Sequence, residues 1–315
     1  MQLKKFAELL GVSRATVSLA MNDSPLVAES TKKRVQKAAR ELGYFPSPQG
    51  RALRRGRTNL IGCILPNLNN SFFATIFCGI SRACAEAGYA LLSMHVEKTD
   101  DSLQTVRRML EHGVEGVIFL AAPVGGAWQE LLRQRQIPAV LYDAPVTPGF
   151  PVVRSDDLAG GEMAMKHLLD HGHRRILCSS RREARLLGNR NAAAACPDAR
   201  IIPFADPAEL PELLKKRPRP TAVIAYSDDE AIEIMRLLRK NRFRVPEDVS
   251  VIGFDNMPYS EWEEFALTTV AQAQFASGTL LCETIVRAVE HRDPPPPECI
   301  YTPVRLIARR TVKKR

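Results

Sequence analysis

Apolar side chains at Leu3, Phe6, Ala7 and Leu10 fall at i, i+3, i+4 and i+7, the spacing that lines one face of a short amphipathic helix. Gly11 ends it. Val12 then supplies an apolar anchor and Ser13 an N-cap, so residues 14–21 read as a second short helix after a tight turn. A third stripe, Val35, Ala38, Ala39 and Leu42, predicts a helix over residues 30–42, with Gly43 placed to terminate it. Three small helices, the first two joined tightly through glycine, are the ingredients of a helix-turn-helix.

From Asn59 the period changes. Apolar runs at 60–65, 89–94, 116–120, 139–142, 175–178, 222–225 and 249–254 predict strands, and the intervening 72–87 and 230–239 have helix length and composition. Strands separated by helices build parallel sheets through right-handed crossovers. A weak echo shows the same unit twice: Leu110-Glu111-His112-Gly113 before Val117-Ile118-Phe119, and Leu169-Asp170-His171-Gly172 before Ile176-Leu177-Cys178. Such units over roughly 255 residues exceed one comfortable sheet. The fold class predicted is therefore α/β: a small all-α helix-turn-helix head, then two doubly wound parallel-sheet subdomains with a ligand between the strand carboxyl ends.

Composition adds where the charge lies. The 315-residue chain is 45% hydrophobic and 25% charged, which is ordinary globular composition and excludes collagen, coiled-coil rods and wholesale disorder. Residues 1–58 hold 12 Lys/Arg against 4 Asp/Glu, leaving the other 32 basic and 31 acidic residues to a nearly neutral body. A basic head on a neutral body suits polyanion binding, because each phosphate neutralised releases condensed counterions; a merely soluble basic surface is the plainer alternative. The seven cysteines are scattered without a C-x-x-C, which favours neither a disulfide framework nor a zinc ribbon and fits a reducing cytoplasm. No apolar run reaches membrane-span length, and charges interrupt the first turns, unlike a signal peptide. The expectation is a protein neither secreted nor membrane-embedded.

In a helix-turn-helix the second helix enters the major groove with its N-terminal side chains on base edges. Here these are Arg14 and Ala15, then Ser18 and Leu19 one turn on. Arg14 suits a bidentate contact with guanine, and Ala15 a thymine methyl. Ser13, Thr16 and Ser18 carry hydroxyls suited to phosphate oxygens, with Thr16 equally suited to packing and Val17 assigned to the core.

The run Leu3-Lys4-Lys5-Phe6-Ala7, then Gly11-Val12-Ser13-Arg14-Ala15-Thr16-Val17-Ser18, then Asn22, Val27 and Tyr44-Phe45-Pro46, resembles the head of the LacI/GalR bacterial transcription regulators. The resemblance implies base reading by Arg14, Ala15 and Leu19. It also implies that the basic linker, with Arg51, Arg54, Arg55 and Arg57, orders on DNA as a hinge helix, and that Leu53 wedges into the minor groove. Pro48 and Gly50 depart from helix-favouring residues and make that hinge harder to order. With Ser13, Thr16, Ser18, Asn22 and Arg51, these residues are the expected DNA-binding set.

The resemblance continues through the body, which is similar to the type I periplasmic-binding-protein fold. It is carried by Leu65-Pro66-Asn67, Asn70-Ser71-Phe72-Phe73, Gly172-His173-Arg174-Arg175-Ile176, Arg185-Leu186-Leu187-Gly188 and Val249-Ser250-Val251-Ile252-Gly253-Phe254-Asp255. It implies a head over 1–46, a hinge over 47–58, and an effector-binding and dimerisation core over 59–315. Within the core, one subdomain spans 59–154 and 273–293, the other 155–272 and 294–312. Strands cross near 155, near 272 and around the prolines at 294–297.

Strand ends supply the effector candidates. Asp255 closes the 249–254 strand, where its carboxylate either accepts adjacent hydroxyls or caps a turn. Arg185 offers a bidentate fork toward the cleft or pairs with Glu183. Phe72 and Phe73 are placed to stack on a sugar or base, or to pack in the core. Asp228 either binds ligand or caps a helix, and Asp143 and Asp157 are weaker candidates. The 178–185 stretch is short and 189–199 is Ala-rich, so a trimmed cleft wall is expected in place of the usual helix and strand.

Neither G-x-x-x-x-G-K-[ST], G-x-G-x-x-G nor G-x-S-x-G occurs, so nucleotide hydrolysis, dinucleotide redox and elbow-serine hydrolysis lack a motif. His167, His171 and His173 read as helix-end packing rather than metal ligands, and no cofactor is expected. Three classes compete: a ligand-gated DNA-binding repressor, a solute-binding protein of a sugar transport system, and a sugar-processing enzyme. The basic head favours the first. Its expected partners are a pseudo-palindromic double-stranded DNA operator, a small-molecule effector (by resemblance a sugar) and a second copy of the chain in a homodimer, with no membrane and no heptad extension for a tetramer.

Overall fold

The computed structural model describes residues 1–45, 56–66, 71–96, 102–120, 126–291 and 299–315. The head folds as α1 (Leu3–Leu9), α2 (Arg14–Met21) and α3 (Glu29–Glu41). Gly11 and Gly43 take φ of +62° and +59°, the left-handed conformation that lets each preceding helix stop without a Cβ clash. Phe6, Ala7, Val17, Ala20, Val35, Ala39 and Tyr44 form its core, with the Phe6 and Tyr44 rings stacked at 4.1 Å. Leu42, expected in the stripe, caps α3 and is largely exposed.

The body begins with β1 (Leu60–Leu65), α4 (Ser71–Glu86), β2 (Ala90–His95), α5 (Ser102–Glu111), β3 (Gly116–Phe119), α6 (Ala127–Gln134), β4 (Ala139–Tyr142) and β5 (Val152–Ser155). The second subdomain follows as α7 (Asp157–Asp170), β6 (Arg175–Ser179), α8 (Glu183–Ala194), β7 (Arg200–Phe204), α9 (Leu210–Leu213), β8 (Ala222–Ile224), α10 (Asp228–Lys240), β9 (Ser250–Asp255) and β10 (Thr268–Gln272). Then come α11 (Gln274–His291), β11 (Cys299–Thr302) and β12 (Val304–Ile307).

Two six-stranded sheets result. The first is ordered β11-β5-β4-β3-β1-β2 and is wholly parallel. The second is ordered β12-β10-β9-β8-β6-β7 and is parallel except for β12, which runs antiparallel to β10. The chain passes between sheets after Ser155 and after Gln272. The third crossing corrects the reading at 294–312: β11 pairs with β5 of the first sheet, and β12 with β10 of the second, so the chain crosses at Pro303.

Each sheet carries a helix pair at backbone contact. A Cβ at Gly79 of α4 would lie 2.2 Å from the Phe275 carbonyl of α11, and one at Gly161 of α7 would lie 2.2 Å from the Arg185 carbonyl of α8. The second pair corrects the expectation of a trimmed wall. A full helix, α8, and a strand, β7, occupy 183–204; the helix was hidden because small residues, not an apolar stripe, pack it against α7.

Candidate functional site: head and interdomain cleft

In α2, Ser13 is the N-cap: its Oγ accepts the Thr16 amide at 3.0 Å and lies 2.9 Å from Thr16 Oγ1. Both hydroxyls are thus engaged in capping. Arg14 and Ala15 are exposed on the first turn, and Leu19 is half-buried one turn on. Asn22 is exposed and its Nδ2 donates to the Ser18 carbonyl at 2.7 Å. Ser18 corrects the sequence reading. Beside the core residue Val17, it is 6% exposed, so its hydroxyl is not presented at the surface for a phosphate. Arg51 and Leu53 lie outside the described residues. Of the linker arginines, Arg57 is tied to the body: its Nε lies 3.4 Å from Glu115 Oε2 and its Nη2 donates to the Tyr89 hydroxyl. Thr58 adds a 2.6 Å bond from its hydroxyl to the Gly113 carbonyl. These contacts fix the linker's exit at the amino end of β3, whereas the cleft described next lies at the strand carboxyl ends.

That cleft, of about 270 Å³, lies between the two sheets at the carboxyl ends of their parallel strands, the place where doubly wound folds in general bind ligands. It gathers Phe72, Phe73, Asp143, Asp157, Arg185 and Asp255 of the predicted set. The Phe72 and Phe73 rings meet edge to face at 5.4 Å, and Phe72 lies 6.2 Å from Tyr142. Arg185 pairs with Asp157 and not with Glu183: its Nε donates to Oδ1 at 2.7 Å and its Nη1 to the Tyr226 carbonyl at 2.5 Å. Its guanidinium rests 3.4 Å from the Phe254 ring centroid, so stacking and two bonds fix its plane.

Asp255 ends β9 at φ +116°, outside ordinary L-residue conformations, held by Gln272 Nε2 on its Oδ1 and Gln274 Nε2 on its carbonyl, both at 2.5 Å. Burial pushes its carboxyl up to about 8, against the opposing pull of Arg185. Burial also raises Asp143, opposed by Arg182.

Asp228 does not line the cleft. Fully buried at the start of α10, it accepts the Thr269 hydroxyl at 2.6 Å and the Met257 amide at 2.7 Å, and burial raises it to about 6. Its neighbour Asp229 lines the cleft instead and takes a hydrogen bond from the Tyr259 hydroxyl. Sequence reasoning missed Arg182, Tyr142, Tyr226, Ser227, Asp229 and Gln272, all of which line the cleft. The usable signal was position: each sits at or just past the carboxyl end of a strand. The histidines are engaged separately, His171 Nδ1 with the His167 carbonyl, and His173 with Thr221 and the Lys313 carbonyl. Among the described residues no His/Cys/Asp/Glu group has the makings of a metal site, and no helix is long and apolar enough to cross a membrane.

A helix-turn-helix head joined to two doubly wound subdomains around a polar cleft defines a ligand-responsive transcriptional regulator. Comparison with known proteins agrees for both parts. Residues 2–47 match the family described as bacterial regulatory proteins, lacI family, and residues 165–312 match a periplasmic binding protein-like domain. The HTH-type transcriptional repressor PurR of Vibrio atlanticus is 31% identical over 309 residues, covering 92% of each chain, and that of Vibrio parahaemolyticus is 30% identical over 337 residues, covering 99% of this chain and 98% of its own. The chain belongs to the LacI family of bacterial transcription regulators. It is a DNA-binding regulator and not the solute-binding protein of a transport system. Among solved structures, the Lac repressor dimer bound to operator and the anti-inducer ONPF shares the fold, with a TM-score of 0.86 at 21% identity over 99% of both chains. A LacI-family regulator from Enterococcus faecium with bound ribose aligns at TM-score 0.70 and 26% identity, over 81% of this chain and 99% of that one.

Proposed function

We propose that the protein is a homodimeric repressor whose grip on a pseudo-palindromic operator is controlled by one neutral monosaccharide-sized effector held between its subdomains. Arg14, Ala15 and Leu19 read bases in each half-site, and two copies double the contacts of a small head. The linker residues Arg51 and Leu53 serve the minor-groove side of the same interface. Catalysis has no part in this reading.

The observation that carries the effector class is the charge pairing in the cleft. Arg182 and Arg185 are both committed to carboxylates, and the Asp255 carboxyl is held largely protonated near neutrality. That leaves a polar, hydroxyl-reading site rather than an anion site. Aromatic faces at Phe72 and Phe73 suit the apolar face of a sugar ring. Size agrees: a cavity of about 150 Å³ accommodates one benzene, so by that scale 270 Å³ takes about eleven non-hydrogen atoms, the size of a pentose or hexose and half that of a disaccharide.

Isothermal titration calorimetry with neutral pentoses and hexoses, their phosphates, disaccharides and nucleobases tests the class. Saturable binding of a neutral monosaccharide supports it. Preference for a phosphate, a disaccharide or a base refutes it.

A further inference from the structure

Arg182 is the N-cap of α8 and belongs to the second subdomain, yet its guanidinium holds one carboxylate on each side of the cleft. Its Nε donates to Asp157 Oδ2 at 2.7 Å, within its own subdomain. Its Nη2 reaches Oδ1 of Asp143, the residue that follows β4 in the first subdomain. Among the ion pairs of the described residues, Arg182–Asp143 is the one that joins the two subdomains.

The geometry favours a firm contact. Asp157 has a side chain only 7% exposed, and Arg185 fixes its other oxygen at 2.7 Å, so one end of the Arg182 fork is anchored on a rigid support. Less side-chain freedom is then lost when the other end closes on Asp143, and a charge-assisted bond outweighs the small value of an ordinary surface pair. Asp143 sits at φ +49°, a left-handed conformation that aspartate and asparagine tolerate. Arg182 and Asp143 side chains are each about a third exposed, which puts the bridge at the cleft mouth, open to solvent and able to break.

We propose that Arg182 is a cleft-spanning tether: its ion pair with Asp143 holds the two subdomains together before any effector arrives and sets how far the empty cleft stands open. The inference rests on reading the cleft as the effector site, but the tether itself is measured without effector. A tethered empty cleft is already near its bound arrangement. Losing the tether populates open forms, and apparent affinity falls in proportion to the competent fraction.

The test uses the full-length chain with spin labels on unnatural residues at Gln134 in α6 and Lys240 in α10, one on each subdomain, diluted into excess unlabelled chain so that a dimer carries one labelled protomer, and read by double electron–electron resonance without ligand. The wild type gives one narrow distance. Arg182→Gln and Asp143→Asn each broaden and lengthen it, and the double variant changes it no further; asparagine keeps the left-handed backbone at 143. Unchanged distances in both single variants, or additive changes in the double, overturn the tether. A titration with D-ribose, chosen as a neutral pentose, separates the two claims. If the wild type binds it, both variants bind about fivefold or more weakly, with the loss in the on-rate, and equal affinity, or a loss wholly in the off-rate as for a lost direct contact, overturns the tether. If no neutral monosaccharide binds the wild type, the effector class fails, while the label distances still decide the tether.

Discussion

The Asp228 carboxylate accepts the backbone N–H of Met257 at 2.7 Å, two residues beyond Asp255, and so pins the turn that presents Asp255 to the cleft. With the Thr269 hydroxyl on its other oxygen, a buried acid of one element fastens the loop following another. The residue is a positioning group for the site although it touches none of the cleft. Asp228→Ala leaves an amide and a hydroxyl buried without partners, at about 1 to 3 kcal/mol each. Urea unfolding should show a loss of about 3 kcal/mol, and Asp228→Asn, which can still accept from Met257, should lose much less. Equal losses would contradict the pinning role.

Arg185→Ala removes the fork that joins Asp157, the Tyr226 carbonyl and the Phe254 ring. Effector binding should become undetectable by calorimetry while operator affinity without effector stays within about twofold, because the head folds on its own core. A retained response to effector would remove Arg185 from the site.

Asp255 gives a pH signature. Its carboxyl is raised in the folded protein from 3.8 to about 8, so the folded state binds the extra proton between those values. Stability should therefore fall as pH rises from about 4 to 8 and level off above that, with Asp228 adding to the fall up to about 6. Asp255→Asn should flatten the slope between pH 6 and 8 in urea midpoints. Effector affinity should rise from pH 6 to 9, as the carboxylate becomes available to accept hydroxyls, and Asp255→Asn should bind weakly at every pH. An unchanged profile in the variant would assign the titration elsewhere.

Arg14 is exposed at the start of α2 with its neighbour Ser13 committed to the cap. Arg14→Ala should relax preference at one base pair per half-site, a loss of about 1 to 3 kcal/mol of discrimination in a randomised-operator selection. A uniform loss across sequences would make Arg14 a phosphate contact.

Much of this architecture was legible in the chain. The i, i+3, i+4 stripes marked the head helices, Gly11 and Gly43 marked their ends, and apolar runs marked seven strands. Five strands escaped: β5, β7 and β12 carry charged residues, Arg154, Arg200 and Arg305, and β10 and β11 are short and half polar, as in Thr268, Thr269 and Gln272. Helix α8 escaped because Leu186 is its one buried leucine, and its closest approaches to α7 are made by Gly188 and by the Arg185 backbone against Gly161 rather than by an apolar stripe. In the cleft, Asp255 and Arg185 were found from strand ends and family resemblance. The choice between Asp228 and Asp229 depended on which way the first turn of α10 faces, and only the packed loop at 256–260 decides that. Arg182 gave no local signal, since its significance lies in Asp143, 39 residues away on another sheet.

The most direct measurement is fluorescence anisotropy of the full-length protein on genomic fragments at physiological salt, with and without neutral monosaccharides. The account predicts sequence-selective binding whose affinity shifts about fivefold or more with at least one such sugar, and no shift in Arg185→Ala. Salt-sensitive attachment to all DNA alike, unmoved by any sugar, would contradict it.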